Sequence, residues 1–183
     1  MQEYEELISE LIDLGISSNP VCPFTCCILD SSGQILVTAA NAMHISPLFS
    51  AEGLALHMLA GHYRCRLEQE LTLVTTAEPE CGAISAMSWG QFSGINVARI
   101  VYGASREKLD KLWECDFSPG AREMVDRLPD KIVKKPELSG PVLEDDCMEA
   151  FDEGKKLYDA AEMPVLSMDL EDYWMAGDWL LEE

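Results

Sequence analysis

Positive charge is scarce in this sequence: 13 lysines and arginines stand against 33 aspartates and glutamates over 183 residues, a formal net charge of -20. A surface that acidic repels phosphate backbones and anionic lipid headgroups, so neither nucleic acid nor a membrane is an expected partner. No apolar run approaches the roughly 18 residues that a membrane span needs. The opening Met1-Gln-Glu-Tyr-Glu-Glu6 is acidic where a secretory leader is basic and then apolar. The seven cysteines are odd in number and irregularly spaced, which is not the pattern of a disulfide framework. These absences point to a reduced, cytoplasmic protein.

What is present is an ordinary globular composition, with 48% hydrophobic residues, 25% charged residues and four tryptophans. A chain of this length buries enough apolar surface for one core without staples. Leu7, Ile8, Leu11, Ile12 and Leu14 recur at helical spacing, predicting a first amphipathic helix over Glu5–Leu14 stopped by Gly15. Phe24–Asp30 and Ile35–Ala40 flank the turn formers Ser31-Ser-Gly-Gln34 and read as a β-hairpin. An apolar helix over Ala51–Ala60, a strand over Leu71–Thr76, a small-residue helix over Cys81–Trp89 and a strand over Ala98–Gly103 follow. Further on, Arg106–Glu114 reads as a helix, Ile132–Leu138 as a weak edge strand broken by Pro136, and Leu143–Tyr158 as a long amphipathic helix. The expected organisation is one domain over residues 1–160 and an acidic tail over 161–183, folded back on the domain or onto a partner.

Strand–helix–strand–helix units set two helix N-termini side by side at one sheet edge, where backbone N–H groups and helix dipoles converge on ligands. The two helix starts are Ser50-Ala-Glu52 and Glu78-Pro-Glu-Cys-Gly-Ala83. Zinc deaminases carry His-x-Glu at the first and Pro-Cys-x-x-Cys at the second, so that three ligands hold a zinc that acidifies water while the glutamate shuttles its proton. Around these starts stand Asn19-Pro20, Asp30-Ser-Ser-Gly33, Asn41, Ser46-Pro47, Trp89 and Val101-Tyr-Gly-Ala-Ser105. From Asn19 to Tyr158 the chain thus resembles the cytidine deaminase superfamily, in its guanine deaminase and tRNA-adenosine deaminase branch. That resemblance implies an α/β fold: a three-layer α-β-α sandwich around a mixed sheet of about five strands. It also implies a homodimer.

Aligned without gaps, the zinc histidine falls on Ser50, the two cysteines on Glu80 and Ala83, and the catalytic glutamate on Glu52. A gapped alignment rescues Cys81 but sets Ile84 at the second cysteine, and one thiolate does not hold zinc in a three-ligand site. Of the three histidines, His57 and His62 fall away from the helix start, and only His44 has reach. No metal and no cofactor are expected.

Each candidate also has a plainer role. Ser50 and Glu52 make an ordinary capped helix start with an acidic first turn. Glu80 either joins Glu52 in a carboxylate pair, one member of which is pushed toward protonation, or is a helix-start carboxylate facing solvent. Cys81 is a thiol at a helix N-terminus or an inert one. Asn41 aligns with a residue that hydrogen-bonds the substrate ring, or is a loop asparagine. His44, Phe49, Ser50, Cys81 and Trp89 complete the expected substrate-binding set around a small-molecule ligand. The preferred function is a zinc-independent enzyme of the deaminase fold, acting on a small heterocyclic or amino-bearing metabolite with Glu52 and Glu80 as acid/base carboxylates. The alternatives are an inactive ligand-binding or partner subunit and an unorthodox metal-dependent hydrolytic deaminase.

Overall fold

A computed structural model describes residues 2–116, 119–129 and 134–177. Its centre is a six-stranded mixed sheet in the order β5-β4-β3-β1-β2-β6, formed by β1 (Thr25–Leu29), β2 (Ile35–Ala40), β3 (Glu70–Ala77), β4 (Asn96–Ala104), β5 (Glu137–Ser139) and β6 (Trp174–Ala176). β1 runs antiparallel to both β2 and β3, while β3, β4 and β5 are parallel. The hairpin turn is built by Asp30, whose Oδ1 accepts from the backbone N–H groups of Ser32 and Gln34, with Gly33 at φ 87°. A positive φ of that size is where glycine has no steric penalty.

The helices are α1 (Gln2–Ser18), α2 (Ala51–His62), α3 (Cys81–Gly90), α4 (Arg106–Trp113), α5 (Ala121–Arg127) and α6 (Glu144–Asp159). They fall in two layers because strand side chains alternate between faces. Cys26, Ile28, Leu71 and Leu73 pack with Leu54, Leu59, Ile84, Met87 and Val125 on the α2, α3 and α5 side. Cys27, Leu29, Val74 and Val101 pack with Ile8, Leu11, Leu109 and Phe151 on the α1, α4 and α6 side. The expected sandwich is the observed one, with six strands in place of about five.

Several local expectations change. Helix α1 runs through Gly15 to Ser18; that glycine serves close packing, since a Cβ there would collide with the Pro23 carbonyl. The edge strand read over Ile132–Leu138 is Glu137–Ser139, and residues 132 and 133 lie outside the described residues. The tail supplies the sixth strand: β6 pairs antiparallel with β2, and Tyr173 just before it is buried in the α2-side core.

Candidate functional site

Because β2 and β3 both run antiparallel to β1, their C-terminal ends lie at the same sheet edge. Each leads into a helix, so the N-termini of α2 and α3 meet there and the two helices touch.

At the head of α2, the Ser50 hydroxyl accepts from the Gly53 N–H at 3.2 Å. This side chain is the helix cap, which satisfies a donor the helix itself leaves over. Two residues on, Glu52 is 6% exposed. Its Oε1 accepts from Thr75 Oγ1 at 2.6 Å, and Thr75 projects from β3 on the face that carries Leu71 and Leu73. Burial holds the Glu52 carboxyl above the usual carboxylate range. The Thr75 hydroxyl, the backbone and Arg106 pull the other way, and the charge of Glu80 adds to the upward shift. Cys26, paired in register with Thr75 on β1, faces the same region, and burial with the nearby Glu52 charge pushes its thiol well up. It is therefore no nucleophile.

At the head of α3, Glu80 is the cap. Its Oε2 accepts from Gly82 N–H at 2.5 Å and its Oε1 from Ala83 N–H at 2.8 Å. The half-buried carboxylate turns onto the dipole of its own helix. Ala83 is buried, and Cys81 is an exposed free thiol in the first turn. All seven cysteines are free.

The loop between β2 and α2 closes on itself. Asn41 is buried, with Oδ1 accepting from Met43 N–H at 3.1 Å and Nδ2 donating to the Cys22 carbonyl at 3.4 Å. Asn19 Nδ2 donates to the Asn41 carbonyl at 3.0 Å, so the two asparagines tie the strand ends together. Phe49 is half-buried against the core and tilted over His57, with ring centres 5.6 Å apart. His44 is drawn to the tail: its Nε2 lies 2.9 Å from the Ser167 carbonyl and its ring meets Tyr173 edge-on at 4.9 Å. Trp89 is not brought to the helix starts. It lies at the far end of α3, roughly 12 Å along the helix at 1.5 Å per residue, 72% exposed beside Phe92.

Sequence reasoning missed two residues of this region. Thr75 breaks an apolar alternation at Leu71-x-Leu73-x-Thr75, a signal that was available. Glu78 accepts from Arg106 N–H at 2.8 Å and Ala121 N–H at 2.9 Å, fastening α4 and α5 to the end of β3. No local pattern announces that latch.

Among the described residues, no three His, Cys, Asp or Glu side chains gather where they could hold a metal ion. The three positions that the sequence resemblance aligns with zinc ligands do not fit the metal: Ser50 and Glu80 are engaged as caps and Ala83 has no donor.

No protein-family model matches the chain, and no curated protein does. Its fold matches solved structures. One is a guanine deaminase from Nitrosomonas europaea, at TM-score 0.65 and 19% identity over 83% of this chain and 84% of the other. A variant of the protein NE0047 in complex with 8-azaguanine gives 0.64 and 18% over 84% of each chain. A deaminase studied for A-to-I editing at the wobble position of transfer RNA gives 0.55 and 17% over 78% of this chain and 99% of the other. The chain has the fold of these deaminases.

Proposed function

We propose that this chain, on a deaminase fold, binds a small amino-bearing heterocycle and moves a proton on it through Glu52, with no resident zinc. The observation that carries this reading is the Glu52 carboxyl itself: buried at a helix head, gripped by Thr75, and held above the usual carboxylate range by burial. A general acid/base works best when its pKa approaches the working pH, and desolvation moves a carboxyl in that direction. Glu80 carries no proton in this reading; its two oxygens accept from the Gly82 and Ala83 N–H groups and hold it as the α3 cap. Its part is electrostatic, through the charge that favours the protonated form of Glu52. Asn41 shapes the loop, since its amide is committed to Met43 and Cys22. The ligand is small and neutral or cationic, in keeping with a net charge of -20, which opposes a polyanion such as tRNA.

Proton transfer to or from a ring nitrogen or exocyclic amine is the step this carboxyl supports. The first probes are 8-azaguanine and 2,6-diaminopurine, molecules bound in structures of similar fold, followed by amino-substituted pyrimidines. Chelator-treated protein is expected to bind a member of this panel and convert an aminated one, with Glu52→Gln retaining binding and losing at least about 100-fold in rate. Binding without turnover in the native chain would favour the ligand-binding subunit reading, which the commitment of Asn41 and Glu80 to backbone already supports. Turnover that needs added zinc would overturn the proposal.

The same reading includes a homodimer. No charged residue occurs from Cys81 to Ala98 in this acidic chain, and Trp89 and Phe92 stand exposed within that run. An uncharged face with exposed aromatic side chains is the composition of an interface core. Light scattering on the purified chain is expected to give twice the 20.3 kDa chain mass; a monomer would remove this part of the reading.

A further inference from the structure

We propose that Thr75 is a positioning residue for Glu52, whose single hydroxyl proton changes acceptor as Glu52 gains or loses its own proton. Thr75 Oγ1 has two acceptors within reach: Glu52 Oε1 at 2.6 Å and the backbone carbonyl of Thr25, on the neighbouring strand, at 3.3 Å. A hydroxyl has one proton to donate and can accept at the same time. It therefore serves only one of these acceptors in any one state.

When Glu52 is ionised, the short contact is Thr75 O–H donating to the carboxylate. When Glu52 is protonated, its own O–H donates to Thr75 Oγ1, and the threonine proton turns to the Thr25 carbonyl. No atom other than hydrogen needs to move, and each proton has a single donor and a single acceptor in both states. The Thr25 carbonyl is also reached by Thr76 Oγ1 at 3.2 Å, which in turn accepts from Thr25 N–H at 3.0 Å, so the Thr75 proton turns to an oxygen that shares its lone pairs among several donors. That second threonine does not face Glu52 and gives the carbonyl a constant partner.

The surroundings fix Thr75 for this task. Thr75 is 1% exposed and Thr25 fully buried, so water does not compete for the hydroxyl. Thr25 Oγ1 donates to the Leu11 carbonyl at 2.6 Å, which anchors the acceptor strand to α1. The groups that bear on Glu52 from the elements around it are Cys26 on β1, Glu80 at the head of α3 and Arg106 on α4. Of these, Arg106 is a donor only, Glu80 is committed to its cap, and the Cys26 thiol is a weak donor and acceptor. Without Thr75, a carboxyl that cycles between acid and base forms keeps its backbone bond but loses the side-chain partner of Oε1. The use of this device in catalysis rests on the function proposed above; the change of acceptor does not.

Carbon-13 NMR of the full chain tests it, with the side-chain carboxyls of glutamate and the backbone carbonyl of Thr25 labelled. Glu52→Gln identifies the carboxyl signal. In the native chain the Thr25 carbonyl resonance is expected to move with pH at the same midpoint as Glu52. In Thr75→Val the carbonyl should stop responding, and the Glu52 midpoint should rise by about one pH unit or more as a donor to the charged form is lost. Thr75→Ser should restore both. If the valine variant does not fold, Thr75→Cys, a weaker donor, should raise the midpoint and damp the carbonyl response. A Thr25 carbonyl that ignores the Glu52 titration in the native chain overturns the proposal. So does a Thr75→Ser chain that behaves like Thr75→Val. A carbonyl that follows Glu52 while Glu52→Gln keeps full turnover would retain the hydrogen-bond exchange and discard the acid/base function.

Discussion

Burying a carboxyl that ionises with difficulty has a consequence for stability that can be separated from function. The folded-state pKa of Glu52 lies above its ordinary value because of burial. The stabilisation it contributes is thus complete below the unfolded value and is lost as pH rises through the raised folded value. Glu52→Gln, always neutral, should gain on the native chain as pH rises. Urea denaturation of both, run upward from the sequence pI of about 4.3, should show the variant's advantage growing across the Glu52 midpoint. An advantage independent of pH would mean that the carboxyl is not the titrating group. At Glu80 the expectation is structural: Glu80→Ala removes a helix cap and should cost about 1 kcal/mol. Glu80→Gln, which keeps one acceptor oxygen, should cost less. Equal losses in denaturant midpoint for the two would argue against capping. The helix-start residues Ser50, Glu52 and Glu80 were legible in the sequence because capping chemistry is local. The partner of Glu52 was not, because Thr75 reaches it only through the pairing of β3 with β1 and the packing of α2 above them.

At the scale of elements, the hairpin and helix α2 could be read almost to the residue, since turn formers and apolar patterning act over a few positions. What escaped were pieces whose order depends on distant partners. Helix α5 has only Ala121 and Val125 buried, and its first N–H is held by Glu78, 43 residues earlier. Glu78→Ala leaves the N–H groups of Arg106 and Ala121 without their acceptor and should cost about 2 kcal/mol. Hydrogen exchange should show the loss concentrated in the first turns of α4 and α5. The tail escaped for the same reason: β6 is three residues long and has no periodicity of its own. It is pinned by Tyr173, whose hydroxyl donates to the Ser167 carbonyl at 3.1 Å beside His44. Tyr173→Ala should free residues 163–177 to rapid exchange at a cost of about 3 kcal/mol, whereas Tyr173→Phe should cost about 1 kcal/mol. Exchange unchanged by the alanine variant would mean that the strap is held elsewhere.

Across the whole molecule, the fold is that of the deaminases it matches, and the side chains at the two helix starts are committed to the fold itself. Ser50 and Glu80 cap the two helices and Ala83 fills core, so this backbone edge presents one buried carboxyl, that of Glu52. Composition bears on the partner class independently of the fold, because a charge of -20 acts at long range whatever the topology. The ligand was not legible, since what reaches the helix starts depends on how loop 41–49 and the tail meet through His44 and Ser167. The central claim is that this site works without zinc, and the most direct measurement is the metal content of chain purified from zinc-supplemented cells. The expected result is zinc far below one per chain, with the Glu52 carboxyl signal unmoved by added zinc. About one zinc per chain, retained through dialysis and lost in Glu80→Gln or Glu52→Gln, would contradict it.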